Sequence, residues 1–99
     1  MVRGETEIGE VIDFYKRISV AAVKVEPGKT LKVGDRICLR GPHTYIEQVI
    51  DSLEVDHKPV SEVGGGSEVG LLVALPKIEE DWPPNIPRKG NTVCWLAAE

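Results

Sequence analysis

Thr44-Tyr45-Ile46-Glu47-Gln48-Val49-Ile50-Asp51-Ser52-Leu53-Glu54-Val55 is the stretch on which the fold turns, because its residues support two readings. Tyr45, Ile46, Val49, Ile50 and Leu53 recur at the three-to-four spacing of an amphipathic helix, and Thr44 with Glu47 spells a capping box. Against a helix stand the β-branched content and the shortness of the run. As a strand it would face Ile46, Gln48 and Ile50 inward, and a bulge would then bring Leu53 and Val55 to the same side. Periodicity taken by itself predicts the helix.

Outside this stretch the chain reads as strands and turns. Ile8 to Phe14 suits a strand, and a short polar hairpin at Tyr15, Lys16 and Arg17 follows. From Ile18 to Val25 the residues are mostly β-branched, with Ala21, Val23 and Val25 on one face and Val20, Ala22 and Lys24 on the other. Glu26-Pro27-Gly28-Lys29 is a turn in which Pro presets the first torsion and Gly accepts the second. Arg36 to Arg40 alternates cleanly, Ile37 and Leu39 opposing Arg36, Cys38 and Arg40. Downstream come a turn at Asp56-His57-Lys58-Pro59, an extended connector from Val60 to Val63, and a loop at Gly64-Gly65-Gly66. A buried strand is predicted over Val69 to Leu75, and a last one over Thr92 to Ala97 that places Trp95 in the core. Between these two strands lies an irregular, proline-rich insertion, residues 76–87, with Trp82 at its centre.

Three times a glycine precedes a short polar residue, a free position and a β-branched residue that opens a strand: Gly34-Asp35-Arg36-Ile37, Gly66-Ser67-Glu68-Val69 and Gly90-Asn91-Thr92-Val93. Glycine supplies a left-handed corner at little cost, and the Asp, Ser or Asn side chain caps it. The first and third copies also align Cys38 with Cys94. Short strands joined by recurrent turns of this kind predict a closed barrel or sandwich.

On these motifs, from Ile8 to Val73, the chain resembles the second domain of translation GTPases such as elongation factor Tu. It resembles more closely the related barrel at the C-terminus of a collagenase-like peptidase family. Ile8-Gly9-Glu10-Val11, Leu31 to Ile37, Asp56 to Val60 and Gly66 to Leu71 carry the likeness, with Ser67 and Asn91 standing where the family usually has Asp. It implies an all-β, six-stranded closed Greek-key barrel and makes Thr44 to Val55 a bent strand. It also implies a surface that meets the acceptor end of tRNA or ribosomal RNA. Turn motifs of this kind identify a fold better than a function.

With 99 residues, one domain spanning 1–99 is expected, and a linked pair of catalytic domains is not. No apolar stretch approaches the roughly 20 residues of a membrane helix, and the first residues lack a signal-peptide core, so the expected place is the cytoplasm, without a membrane. A net charge of −4 argues against general nucleic-acid binding, and no DNA is expected. The basic residues are nonetheless uneven, and Lys16, Arg17, Lys32, Arg36, Arg40, Arg88 and Lys89 form the candidate RNA face. The rival is a protein-docking module for a peptidase or GTPase partner, with Trp82 as anchor.

Chemistry has few candidates. Gly64-Gly65-Gly66 lacks the following Lys-Ser/Thr pair of a phosphate loop. Cys38 with His43 or His57 lacks an orienting third group, and neither the cysteines nor the histidines have metal-ligand spacing. Cys38 and Cys94 read as small buried residues. No enzyme activity, metal or cofactor is expected.

Overall fold

A computed structural model describes residues 5–74 and 86–96, and every regular element among them is a strand. In chain order these are β1 (Glu5–Tyr15), β2 (Val20–Val25), β3 (Thr30–Lys32), β4 (Arg36–Gly41), β5 (Thr44–Val49), β6 (Leu53–Val55), β7 (Lys58–Val60), β8 (Glu62–Gly64), β9 (Glu68–Leu72) and β10 (Thr92–Leu96). Eight of them form one antiparallel sheet in the order β5-β4-β10-β1-β2-β9-β6-β7, and β3 pairs with β8 in a separate ribbon. The proline-rich segment lies outside the described residues except for Ile86 and Pro87, and Trp82 lies outside them altogether.

All three repeated corners have the conformation the sequence predicts. Gly34, Gly66 and Gly90 sit at φ 97, 84 and 93, where any other residue type would be strained. Two of the polar caps close as expected. Asp35 Oδ2 accepts from the Lys32 amide at 3.0 Å, and Asn91 Oδ1 accepts from the Arg88 amide at 2.8 Å.

The stretch from Thr44 to Val55 is two strands with a three-residue break, not a helix. Its apparent capping residue is engaged elsewhere, since the Thr44 hydroxyl donates to the Ile86 carbonyl at 2.8 Å. At the break, backbone bonding passes from one neighbour to another. Ile50 exchanges bonds with Gly34 and Asp35, beyond the end of the β4–β5 ladder, whereas the Ser52 carbonyl accepts from Leu72 on β9. The ladder therefore has two ends, β5 and β7, and does not close by strand pairing as a closed six-stranded barrel would require. Its ends nevertheless belong to one short piece of chain, and the Gln48 side chain spans the gap. Gln48 Nε2 donates to the Leu72 carbonyl at 2.9 Å, and its Oε1 accepts from the Ala74 amide at 2.8 Å.

One apolar interior gathers Ile8, Val11, Val23, Leu31, Ile37, Leu39, Ile46, Leu53, Leu71 and Val93, among others. A flat eight-stranded sheet could not bring β5 and β2 residues into one cluster, so the sheet curls around them. Trp95, expected inside, is instead 36% exposed. It shares the inward face of β10 with Val93 but sits beyond it, over a depression lined by Thr6, Lys29, Thr30 and Asp35. The outward side of the same strand is covered, and Cys94 and Leu96 form a second small cluster with Cys38.

Candidate functional site

The basic residues singled out in the sequence are spread over several elements. Lys16 and Arg17 occupy the turn between β1 and β2, Lys32 lies on β3, and Arg36 and Arg40 are four residues apart on β4. Arg88 and Lys89 lie in the turn leading to β10, with Arg88 half-buried. Thr92 on β10 is the register partner of Arg40 and the two strands run antiparallel, so the Gly90 corner with Arg88 lies at the Arg40 end of β4 and the Gly34 corner at the opposite end. Arg40 is already committed, its Nη1 lying 3.3 Å from Glu5 Oε1.

That ion pair covers two thiols. Cys38 and Cys94 are direct register partners on β4 and β10, and both are buried, as read from the sequence. The Cys38 thiol donates towards Glu5 Oε1 at 3.9 Å, and Arg40 Nη2 donates to Cys94 Sγ at 3.5 Å. The two sulfurs and a Glu5 carboxylate oxygen all lie within 4.8 Å of one another, the group of metal-ligating atoms found among the described residues. Neither histidine takes part; His43 and His57 are exposed. Sequence spacing hid the pair because the register across two strands, not proximity in the chain, unites them. The one hint was the alignment of the two cysteines, each four residues after a corner glycine.

Burial pushes the Cys38 thiol up to about 12, with Cys94 and Glu5 adding to the rise, and burial likewise raises Cys94. An unperturbed thiol titrates near 9.0. Between pH 9 and 12 the unfolded chain therefore gives up a proton that the folded chain keeps, so stability is whole below pH 9 and falls as pH rises. The expected slope is about 1.4 kcal/mol per pH unit for one such group. Urea unfolding from pH 8 to 11 is expected to show this decline in the native chain and a shallower one in Cys38→Ser. Equal slopes would mean that the thiol is not shielded.

One part of the outer face is apolar. Tyr15, Val20 and Leu72 are directly opposed across β1, β2 and β9, on the side away from Phe14, Ala21 and Leu71. Ile18, in the adjoining turn, is 62% exposed, and Tyr15 and Leu72 are also exposed. The small residues Ala22 and Gly70 floor a depression of about 300 Å³ beside this row. Glu54, Asp56 and Glu68 give it an acidic rim. A contiguous exposed apolar row with a charged rim has the make-up of a protein contact surface. The β1–β2 turn that carries Ile18 is held by Ser19, which adopts φ 56 and whose hydroxyl donates to the Val73 carbonyl at 2.7 Å.

No protein-family model matches the chain. A stretch of 66 residues is 41% identical to an uncharacterized protease of Methanocaldococcus jannaschii, covering 66% of this chain and 16% of the relative. The chain thus spans about a sixth of the length of the curated relative it matches. Among solved structures, the C-terminal domain of a putative U32 peptidase from Geobacillus thermoleovorans superposes with a TM-score of 0.70 at 16% identity, covering 91% of each chain. The selenomethionine variant of that domain gives 0.65 at 18% identity over 88% of this chain and 95% of the other. At such identities the likeness is one of fold. It supports the resemblance to the C-terminal barrel of collagenase-like peptidases and lends none to the elongation-factor assignment.

Proposed function

We propose that the chain is a non-catalytic docking module that accompanies a peptidase, contacting it through Tyr15, Ile18, Val20 and Leu72. The observation that carries this reading is the likeness, over nine-tenths of the chain, to a domain that forms the C-terminal part of a putative peptidase. The exposed apolar row supplies a surface for the contact, and its acidic rim suits a partner that presents an apolar side chain flanked by Lys or Arg. RNA contact through the basic residues is the alternative, and the pairing of Arg40 with Glu5 weighs against it.

The scaffold we infer behind this surface is a six-stave barrel in which β5 and β6 act as one bent strand between β4 and β9. The handover of bonding at Ile50 to Ser52, the Gln48 bridge and the single shared interior support that closure.

The test mixes the chain with the part of the M. jannaschii protease outside the matched stretch and follows binding by calorimetry. Saturable binding is expected. Ile18→Asp, at an exposed turn position that leaves the fold intact, is expected to weaken it by about 2 kcal/mol, roughly 30-fold. Arg36→Ala with Arg40→Ala is expected to leave both this binding and low-salt retention of RNA on filters unchanged. A loss of RNA retention with a reduced salt slope would move the function to the basic residues.

A further inference from the structure

We propose that Cys38, Cys94 and Glu5 form a binding site for one zinc ion, with Arg40 as the outer partner that fixes the ligands. The three donors come from three adjacent strands, β4, β10 and β1, so a hydrogen-bonded sheet holds their backbones in place. Thiolate and carboxylate are ligand types zinc takes, with Zn–S near 2.3 Å and Zn–O near 2.0–2.2 Å. A tetrahedral site with those bond lengths places its two sulfurs about 3.8 Å apart. The donor atoms here already lie within 4.8 Å of one another, so rotation about the side-chain bonds closes the remainder.

Charge favours the same ion. Two thiolates and a carboxylate carry three negative charges, zinc two positive and the Arg40 guanidinium one, so the loaded cluster is neutral in a partly buried place. Arg40 donates to Cys94 Sγ and pairs with Glu5, the arrangement by which outer groups orient metal ligands. Loading converts both thiols to thiolates and releases two protons: the ion forms two Zn–S bonds and one Zn–O bond as two S–H bonds break. Three protein donors leave a fourth position for water, on the side where Glu5 and Arg40 reach solvent.

Cobalt(II), used anaerobically as an optical stand-in for zinc, tests the site in the full chain. One equivalent is expected to give thiolate-to-cobalt charge-transfer absorption and intense tetrahedral bands with release of two protons per ion, and zinc then abolishes the bands by displacing cobalt with no further proton release. Cys38→Ser and Cys94→Ser are each expected to remove the charge-transfer band, with circular dichroism confirming that they fold. Arg40→Ala is expected to cost about 10–100-fold in zinc affinity, and Arg36→Ala on the same strand nothing. Zinc is further expected to protect the native thiols from oxidised glutathione. Absence of the band in the native chain, its persistence in either serine variant, or equally fast oxidation to a Cys38–Cys94 disulfide with and without zinc would overturn the assignment.

Discussion

Leu71→Ala is expected to lower the unfolding free energy by about 2–5 kcal/mol, a large share of what a domain of this size has to lose. Leu71 is fully buried on β9, with Ala21 of β2 and Leu53 of β6 as its register partners. It therefore fills the point where three strands meet. Because one partner is already an alanine and the surrounding backbone is held in ladders, the space vacated cannot close, and the cavity adds to the lost transfer energy. Denaturant unfolding of the two proteins measures the difference. The neighbouring Leu72 is exposed, and Leu72→Ala is expected to change stability by no more than about 0.5 kcal/mol. Comparable losses at the two positions would contradict the assignment of inner and outer faces.

Gly65→Ala is the second large effect, and it comes from contact rather than from a void. A Cβ at Gly65 would meet the Glu26 carbonyl oxygen, and would lie 2.7 Å from Pro27 Cα and 2.8 Å from the Gly28 amide nitrogen. All three are backbone atoms of the turn after β2, so a crossing segment must move, at a cost of about 1–3 kcal/mol or more. Its two neighbours separate the possible causes. At Gly64 a Cβ would enter open space, and alanine is expected to change stability by less than about 0.5 kcal/mol. At Gly66 there is also room, but φ is +84, so alanine is expected to cost about 1 kcal/mol through strain alone. Thermal or urea unfolding of the three variants is expected to rank 65 worst, 66 next and 64 near native. Three equal effects would mean that the triple glycine is only a flexible linker.

That ranking shows what was legible in the sequence and what was not. Corner chemistry is local: Gly34, Gly66 and Gly90 announced their conformation because each is followed by a short polar residue, a free position and a β-branched residue within a strand. Close approach between segments is not local, and nothing around Gly65 says that Glu26 and Pro27 cross it. Thr44 to Val55 misleads for a specific reason. Its buried residues Ile46, Ile50 and Leu53 are spaced by four and then three, which imitates a helix, yet the spacing arises within an extended chain. Gln48, facing the same way, is polar because its amide bridges to Leu72 and Ala74, and the break at Ile50 to Ser52 then inserts an extra residue. Remove those two features and a plain alternation appears.

The surfaces were less readable than the fold. The seven basic residues could be enumerated, but that Glu5 engages Arg40 depends on β10 lying between β1 and β4, which no local pattern encodes. The same neighbourhood brings Cys38 beside Cys94. Tyr15, Val20 and Leu72 likewise become a row only once β2 lies between β1 and β9. Trp82, the anchor expected from composition, lies outside the described residues, and the apolar row gives the docking reading a different basis.

Amide hydrogen exchange on the chain, alone and mixed with the remaining part of the M. jannaschii protease, tests the docking account most directly. The account predicts new protection at residues 15–22 and 68–72, around Ile18 and Leu72, and none at residues 36–40. Protection confined to the Arg36 to Arg40 strand and the Arg88 turn, or no protection anywhere on saturation with the partner, would contradict it.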